Sequence, residues 1–137
     1  MSAPQARRVD TAPVVDHAAA LARAERILVT AHPAEPLASV ALRAGEGALE
    51  SFLLLAEPDG SLAEPLRELL ARHLRERLPD DDAGELHAAV TAAAVVAALD
   101  LAVARWLAEG ARADATAACR ARFRAVAALL PPDPGCA

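Results

Sequence analysis

The sequence predicts an all-α fold, a helical bundle of about five helices, and three observations carry that prediction. The first is the stretch Leu86 to Leu107, LHAAVTAAAVVAALDLAVARWL, which is Ala-rich and charged only at Asp100 and Arg105. Only a helix packed closely on other helices needs so many small residues. The second is composition: 55% of the chain is apolar, mostly Ala, Leu and Val, while aromatics are 2% (Phe52, Trp106 and Phe123) and Tyr is absent. Strands draw on β-branched and aromatic residues, whereas Ala, Leu, Arg and Glu are strong helix formers. The third is punctuation, because helix-length segments are closed by His32-Pro33, Leu78-Pro79, Glu109-Gly110 and Pro131-Pro132.

A chain of 137 residues is one domain with a modest core. Residues 1–10 read as a disordered N-terminus, 11–131 as the domain and 132–137 as a tail. A first helix is expected from about Pro13 to Thr30, with Val14, Ala18, Leu21, Ala22, Glu25, Leu28 and Val29 on one face; Pro13 and Asp16 suit its first turn. A second starts at Pro36 with Leu37, Val40, Ala41 and Ala44 inward. Gly45 and Gly47 are expected to break or kink it, leaving Ala48 to Ala56 as a short buried segment before the turn Pro58-Asp59-Gly60.

Ser61 and Glu64 form the S-x-x-E pattern of a capping box for a third helix. Its buried stripe is Leu62, Leu66, Leu69, Leu70, Leu74 and Leu78, with Arg67, Arg72, Arg75, Glu76 and Arg77 mostly on the outer face. Asp82 and Glu85 repeat the cap logic for the long fourth helix, which Gly110 ends. The last helix is expected from about Asp114 to Leu130, with Ala115, Cys119, Phe123, Val126 and Leu130 on one face.

Composition also excludes chemistry. All 14 basic residues are Arg, so Lys-based covalent catalysis is out. A net charge of −5 is the wrong sign for a general nucleic-acid binder. Cys119 and Cys136 lack a Cys or His at metal-ligand spacing, and no apolar run follows the N-terminal arginines as in a signal peptide. The uncharged run Ala88 to Leu99 falls short of the roughly 20 residues of a membrane span. A cytoplasmic location without membrane contact is the expectation. Asp80-Asp81-Asp82 is better explained as a solvated helix start than as a cation grip. The Arg120, Arg122 and Arg124 cluster reads as solvated, or as a contact for an acidic partner. His spacing does not suit zinc, and neither a phosphate loop nor a nucleophile elbow is present. No metal and no cofactor is expected.

Taken together, Asp80-Asp81-Asp82, the helix Leu86 to Ala104, Arg105-Trp106-Leu107-Ala108-Glu109-Gly110 and the segment Phe123 to Leu130 resemble the C-terminal ligand-binding and dimerisation domain of TetR-family transcriptional regulators. The stretch Glu57 to Leu78 is similar to that domain's middle helices, and the resemblance covers roughly residues 13–131. It implies that the last two helices pair with those of a second copy as a four-helix bundle, while the preceding helices enclose an apolar pocket. Val96, Val103, Trp106, Phe123 and Val126 are the expected knobs of a homodimer interface, with Ala88, Ala92, Ala93, Ala97 and Ala104 permitting close approach. The bland alternative is that the long helix is the centre of a monomeric bundle.

Residues 26–28 and 36–45 echo the first two helices of a helix-turn-helix. The third, expected at Glu46 to Ala56, carries two acids, no Arg and a Leu-rich run, so direct nucleic-acid binding is not expected. The residues expected around a small apolar ligand are Leu21, Phe52, Leu66, Leu70, His73, His87, Val90 and Thr91, since such sites are mostly apolar with a few placed polar groups. Leu28, Val40 and Leu69 would complete the walls. Three functions stay open: a small-molecule-binding and dimerisation domain in transcriptional regulation; a helical enzyme doing acid–base or cyclisation chemistry with His17, His73 or His87; and a modulator that heterodimerises with a full-length regulator. Convergence of two of these His residues with Asp16 or Glu25 would favour the enzyme.

Overall fold

The structure, a computed structural model, describes residues 18–55 and 62–132. These form five α-helices and no strand: α1 (18–30), α2 (Leu37–Leu55), α3 (Ala63–Arg75), α4 (Asp82–Ala108) and α5 (Thr116–Arg124). Short 3-10 segments, Ala113–Ala115 and Ala125–Leu129, flank α5, so the last helix is tighter at both ends than its sequence suggests. His17, the turn at residues 58–60, Ser61 with its capping box, and both terminal segments lie outside the described residues.

The 27-residue α4 is the spine, packed against α2, α3 and α5. Its start is fixed locally: Asp81, extended at φ −145°, caps it by accepting from the Gly84 N–H at 2.7 Å. The cap is therefore Asp81 rather than Asp82. At the other end the Ala111 N–H donates to the Trp106 carbonyl and the Gly110 N–H to the Leu107 carbonyl, the paired bonds of a Schellman motif. Gly110 takes the left-handed φ of +99° that this motif needs. The Trp106 indole N–H then donates to the Arg112 carbonyl at 2.9 Å, tying the following loop to the buried ring.

In α3 the Leu stripe is borne out, with Leu62, Leu66, Leu69, Leu70 and Leu74 buried and Leu78 half-buried. In α2 the expected inward residues Leu37, Val40, Ala41 and Ala44 are all buried. Gly45 and Gly47 do not break α2, and residues 48–55 simply continue it. Both glycines are there for contact. A Cβ at position 45 would lie 2.5 Å from Val95 Cγ1 and 2.7 Å from Phe123 Cζ; at 47 it would lie 2.7 Å from Ile27 Cδ1. Tertiary packing outweighs a helix penalty of about 1 kcal/mol per Gly. The α1 face differs from expectation in part: Leu28 is buried and Leu21 half-buried as expected, but Ala20 and Ala24 fill the rest of the inner face, whereas Ala18, Ala22, Glu25 and Val29 are exposed.

Ionic contacts lash the helices together. Arg120 and Arg124 of α5, four residues apart, meet Glu50 and Glu46 of α2, and Arg122 meets Glu109 after α4. The cluster read as solvated is thus paired within the chain at each of its three positions. The α1–α2 turn is held similarly. Glu35 accepts from Ser39 Oγ at 2.7 Å and from both Arg43 Nε and Nη2, while Arg77 donates to the carbonyls of Ala31, His32 and Glu35.

The Arg43 and Ser39 hydrogen bonds hold the Glu35 carboxyl down at about 2 against an ordinary value of 4.5. A carboxyl depressed on folding stabilises the fold above its unfolded pKa and loses that contribution as pH falls through its folded value. We therefore expect the chain to lose stability between about pH 4.5 and 2, and Glu35→Gln to flatten that part of a urea-midpoint-against-pH curve. An unchanged acid limb in Glu35→Gln would show that the turn does not carry this linkage.

Candidate functional site

Helix α4 is apolar on every side, and only half of it is used by the chain's own core. Ala88, Thr91, Ala92, Val95, Val96, Leu99, Ala102, Val103 and Trp106 face inward. On the outer half Leu86, Val90 and Leu101 stand 65%, 46% and 70% exposed, in line with the exposed Ala93, Ala97, Ala104 and Ala108. These three large side chains lie along one line of the helix rather than scattered around it. Beside that line runs a groove of about 560 Å³, walled by Ala97, Ala98, Leu101 and Arg105 of α4 and by Ala125 and Leu129. Leu129 itself is 79% exposed.

By length and composition α4 is also apolar enough to cross a membrane; 44% of its most apolar stretch is buried inside the chain. Asp100 sits at the edge of the outer face, where partial burial pushes its carboxyl up.

Four of the five side chains expected as dimer knobs lie elsewhere. Val96, Val103, Trp106 and Phe123 are 0–6% exposed and belong to the chain's own core, whereas Val126, 6% exposed, lines the groove beside α4. The reason is volume. The larger side chains of α4 and α5 are consumed in filling the interior, and the outer face is left with Ala, Leu and one Val.

The residues expected around a ligand divide in a similar way. Leu66, Leu70 and Thr91 are fully buried and Phe52 is 8% exposed, so these are core positions. Val90 belongs to the outer face, and Leu21 lines a shallow groove of about 380 Å³ between α1 and α3 with Glu25, Leu69 and Arg72. His73, His87 and Thr91 share one property: His73 Nε2, His87 Nε2 and Thr91 Oγ1 are buried polar atoms without a hydrogen-bond partner among the described residues. Buried polar groups are nearly always satisfied, so these three stand out chemically.

His73 Nε2 does lie 3.5 Å from the Glu25 carboxylate, outside hydrogen-bonding geometry, and Arg72 reaches the same carboxylate at 3.9 Å. Of the convergence of two His residues on a carboxylate that would favour an enzyme, the described residues bring only His73 toward Glu25. Among the described residues no group of His, Cys, Asp and Glu is arranged to hold a metal ion. The Asp80–Asp82 run serves the start of α4, with Asp81 as its cap. Cys119 is a free, buried thiol that donates to the Ala102 carbonyl, and burial raises its pKa, which leaves it unreactive. No model of a known protein family, no curated protein and no solved structure matches this chain.

Proposed function

We propose that this chain is a homodimerising, ligand-binding helical module of the TetR C-terminal type, acting in transcriptional regulation without a DNA-reading helix of its own. The observation that carries the reading is the exposed apolar face of α4 with the adjoining groove along α5. A chain of this size gains from hiding such a face against a copy of itself, and twofold pairing is the commonest assembly. The stretch that would have to read DNA, Glu46 onward, is the second half of α2, with Ala48, Leu49 and Phe52 in the core. The polar groups this reading assigns to a small, mostly apolar ligand are His73 and His87, whose Nε2 atoms are without a hydrogen-bond partner among the described residues.

The test is a charge placed on the face. Wild-type chain should run in size-exclusion light scattering at twice its 14.2 kDa mass. Leu101→Glu should run at the single-chain mass with unchanged helical circular dichroism. Wild type and variant running alike would remove the face from the account.

A second reading, acid–base catalysis, draws on the His73–Glu25 approach alone. It is the weaker one, because His73 does not line the α1–α3 groove that Glu25 and Arg72 share, and His87 sits on a different helix.

A further inference from the structure

Most of the exposed apolar residues of α4 lie on one line, which Ala83 continues one step of 3 before Leu86; the exposed Ala89 lies to one side of it. Leu86, Val90, Ala93, Ala97, Leu101, Ala104 and Ala108 are separated by steps of 4, 3, 4, 4, 3 and 4. At about 3.6 residues per turn all seven stay within about 40° of one line. Between Leu86 and Ala108 the order of steps reads the same from either end, with Ala97 at its centre. The pattern repeats every 11 residues, a period close to that of an unbent helix, with only a slight right-handed drift.

The sizes along the line are not symmetric, and this decides the pairing. Turned end for end about Ala97, a second α4 sets Leu86 against Ala108, Val90 against Ala104 and Leu101 against Ala93, with Ala97 against its own copy. Each large side chain then meets a small one. A parallel pairing would instead stack Leu on Leu and Ala on Ala, holding the helices apart at some layers and leaving gaps at others. It would also bring Asp100 level with Asp100 and Arg105 level with Arg105. In the antiparallel pair the two Asp100 residues are six positions apart, about 9 Å along the axis.

We infer that the occupant of this face is a second copy of the chain, packed antiparallel on α4 about a twofold axis through Ala97. The inference rests on the dimerising function proposed above and specifies its geometry. A helix of 27 residues is about 40 Å long. With the shorter α5 segment alongside, the face covers on the order of 600 Å² per chain, at the lower end of specific interfaces. Alanines on the central line bring the axes toward the short end of the roughly 8–10 Å range for packed helices.

Cysteine cross-linking tests the register, in a background with Cys136 replaced by Ser and Cys119 buried. A disulfide needs Cα atoms about 4.4–6.8 Å apart, which in this dimer holds at position 97 with itself. Under mild oxidation Ala97→Cys should convert most of the chain to a covalent dimer. Ala93→Cys and Leu101→Cys should each stay largely uncrosslinked alone, because their copies lie about 12 Å apart along the axis. Mixed and equilibrated together, these two should cross-link to each other. A dimer by light scattering in which Ala97→Cys stays free, or in which Leu101→Cys links to itself, overturns the register but leaves dimerisation standing. A monomer, or a chain found only with membranes, overturns both.

Discussion

Phe123→Ala is expected to cost this fold about 3–5 kcal/mol, the range for deleting a buried aromatic ring. Phe123 is fully buried, and its ring edge occupies the space that a side chain at position 45 would need. It joins α5 to α2 beneath the Arg120–Glu50 and Arg124–Glu46 contacts, which are partly exposed and worth little by themselves. Domains are typically stable by about 5–15 kcal/mol, so the variant should populate partly unfolded chain, seen as a large fall in the urea midpoint. Gly45→Ala should be destabilising as well, by about 1–3 kcal/mol. Part of that loss should return in combination with Phe123→Leu, since the obstructing ring is gone. A double-mutant cycle showing plain additivity would contradict this contact.

Gly84→Ala is the second large effect, and here the sign is in question. In an unobstructed helix the change would gain about 1 kcal/mol. At Gly84 a Cβ falls well inside contact distance of the Pro79 carbonyl oxygen and 3.3 Å from the capping oxygen of Asp81. That carbonyl is main chain, fixed by its bond from the Asp81 N–H, so it cannot swing aside as a side chain would. Relief requires the α3–α4 turn to move, which costs the Asp81 cap, typically about 1 kcal/mol, in addition to the overlap. A net loss of about 3 kcal/mol is expected in urea unfolding. A variant as stable as wild type would mean that the turn is not held as described.

The all-α class and most helix positions were legible because they depend on local signals. The Leu stripe of α3, the inward residues Leu37 to Ala44 and the Gly110 stop of α4 depend on period and turn chemistry alone. The misread features depend on distant partners. Gly45 and Gly47 look like helix breakers until Phe123, Val95 and Ile27 are brought against them. Arg120 and Arg124 look solvated because Glu50 and Glu46 lie 70 and 78 residues away in the chain. Val96, Val103 and Trp106 were expected outward for a different reason. A helix apolar on every side has no amphipathic signature separating core from surface, and the largest side chains drew the assignment. Those belong to the core, and the outward line is set by Leu86, Val90 and Leu101 among alanines. The His73–Glu25 approach was anticipated in kind, whereas the orphaned atoms of His87 and Thr91 become visible only when burial is known.

The central claim is that the outer face of α4 is covered by a second copy of the chain. Sedimentation equilibrium of the untagged wild-type protein, at micromolar concentration without detergent, tests it most directly. The account predicts a single species of twice 14.2 kDa; a species of 14.2 kDa that persists as concentration is raised would contradict it.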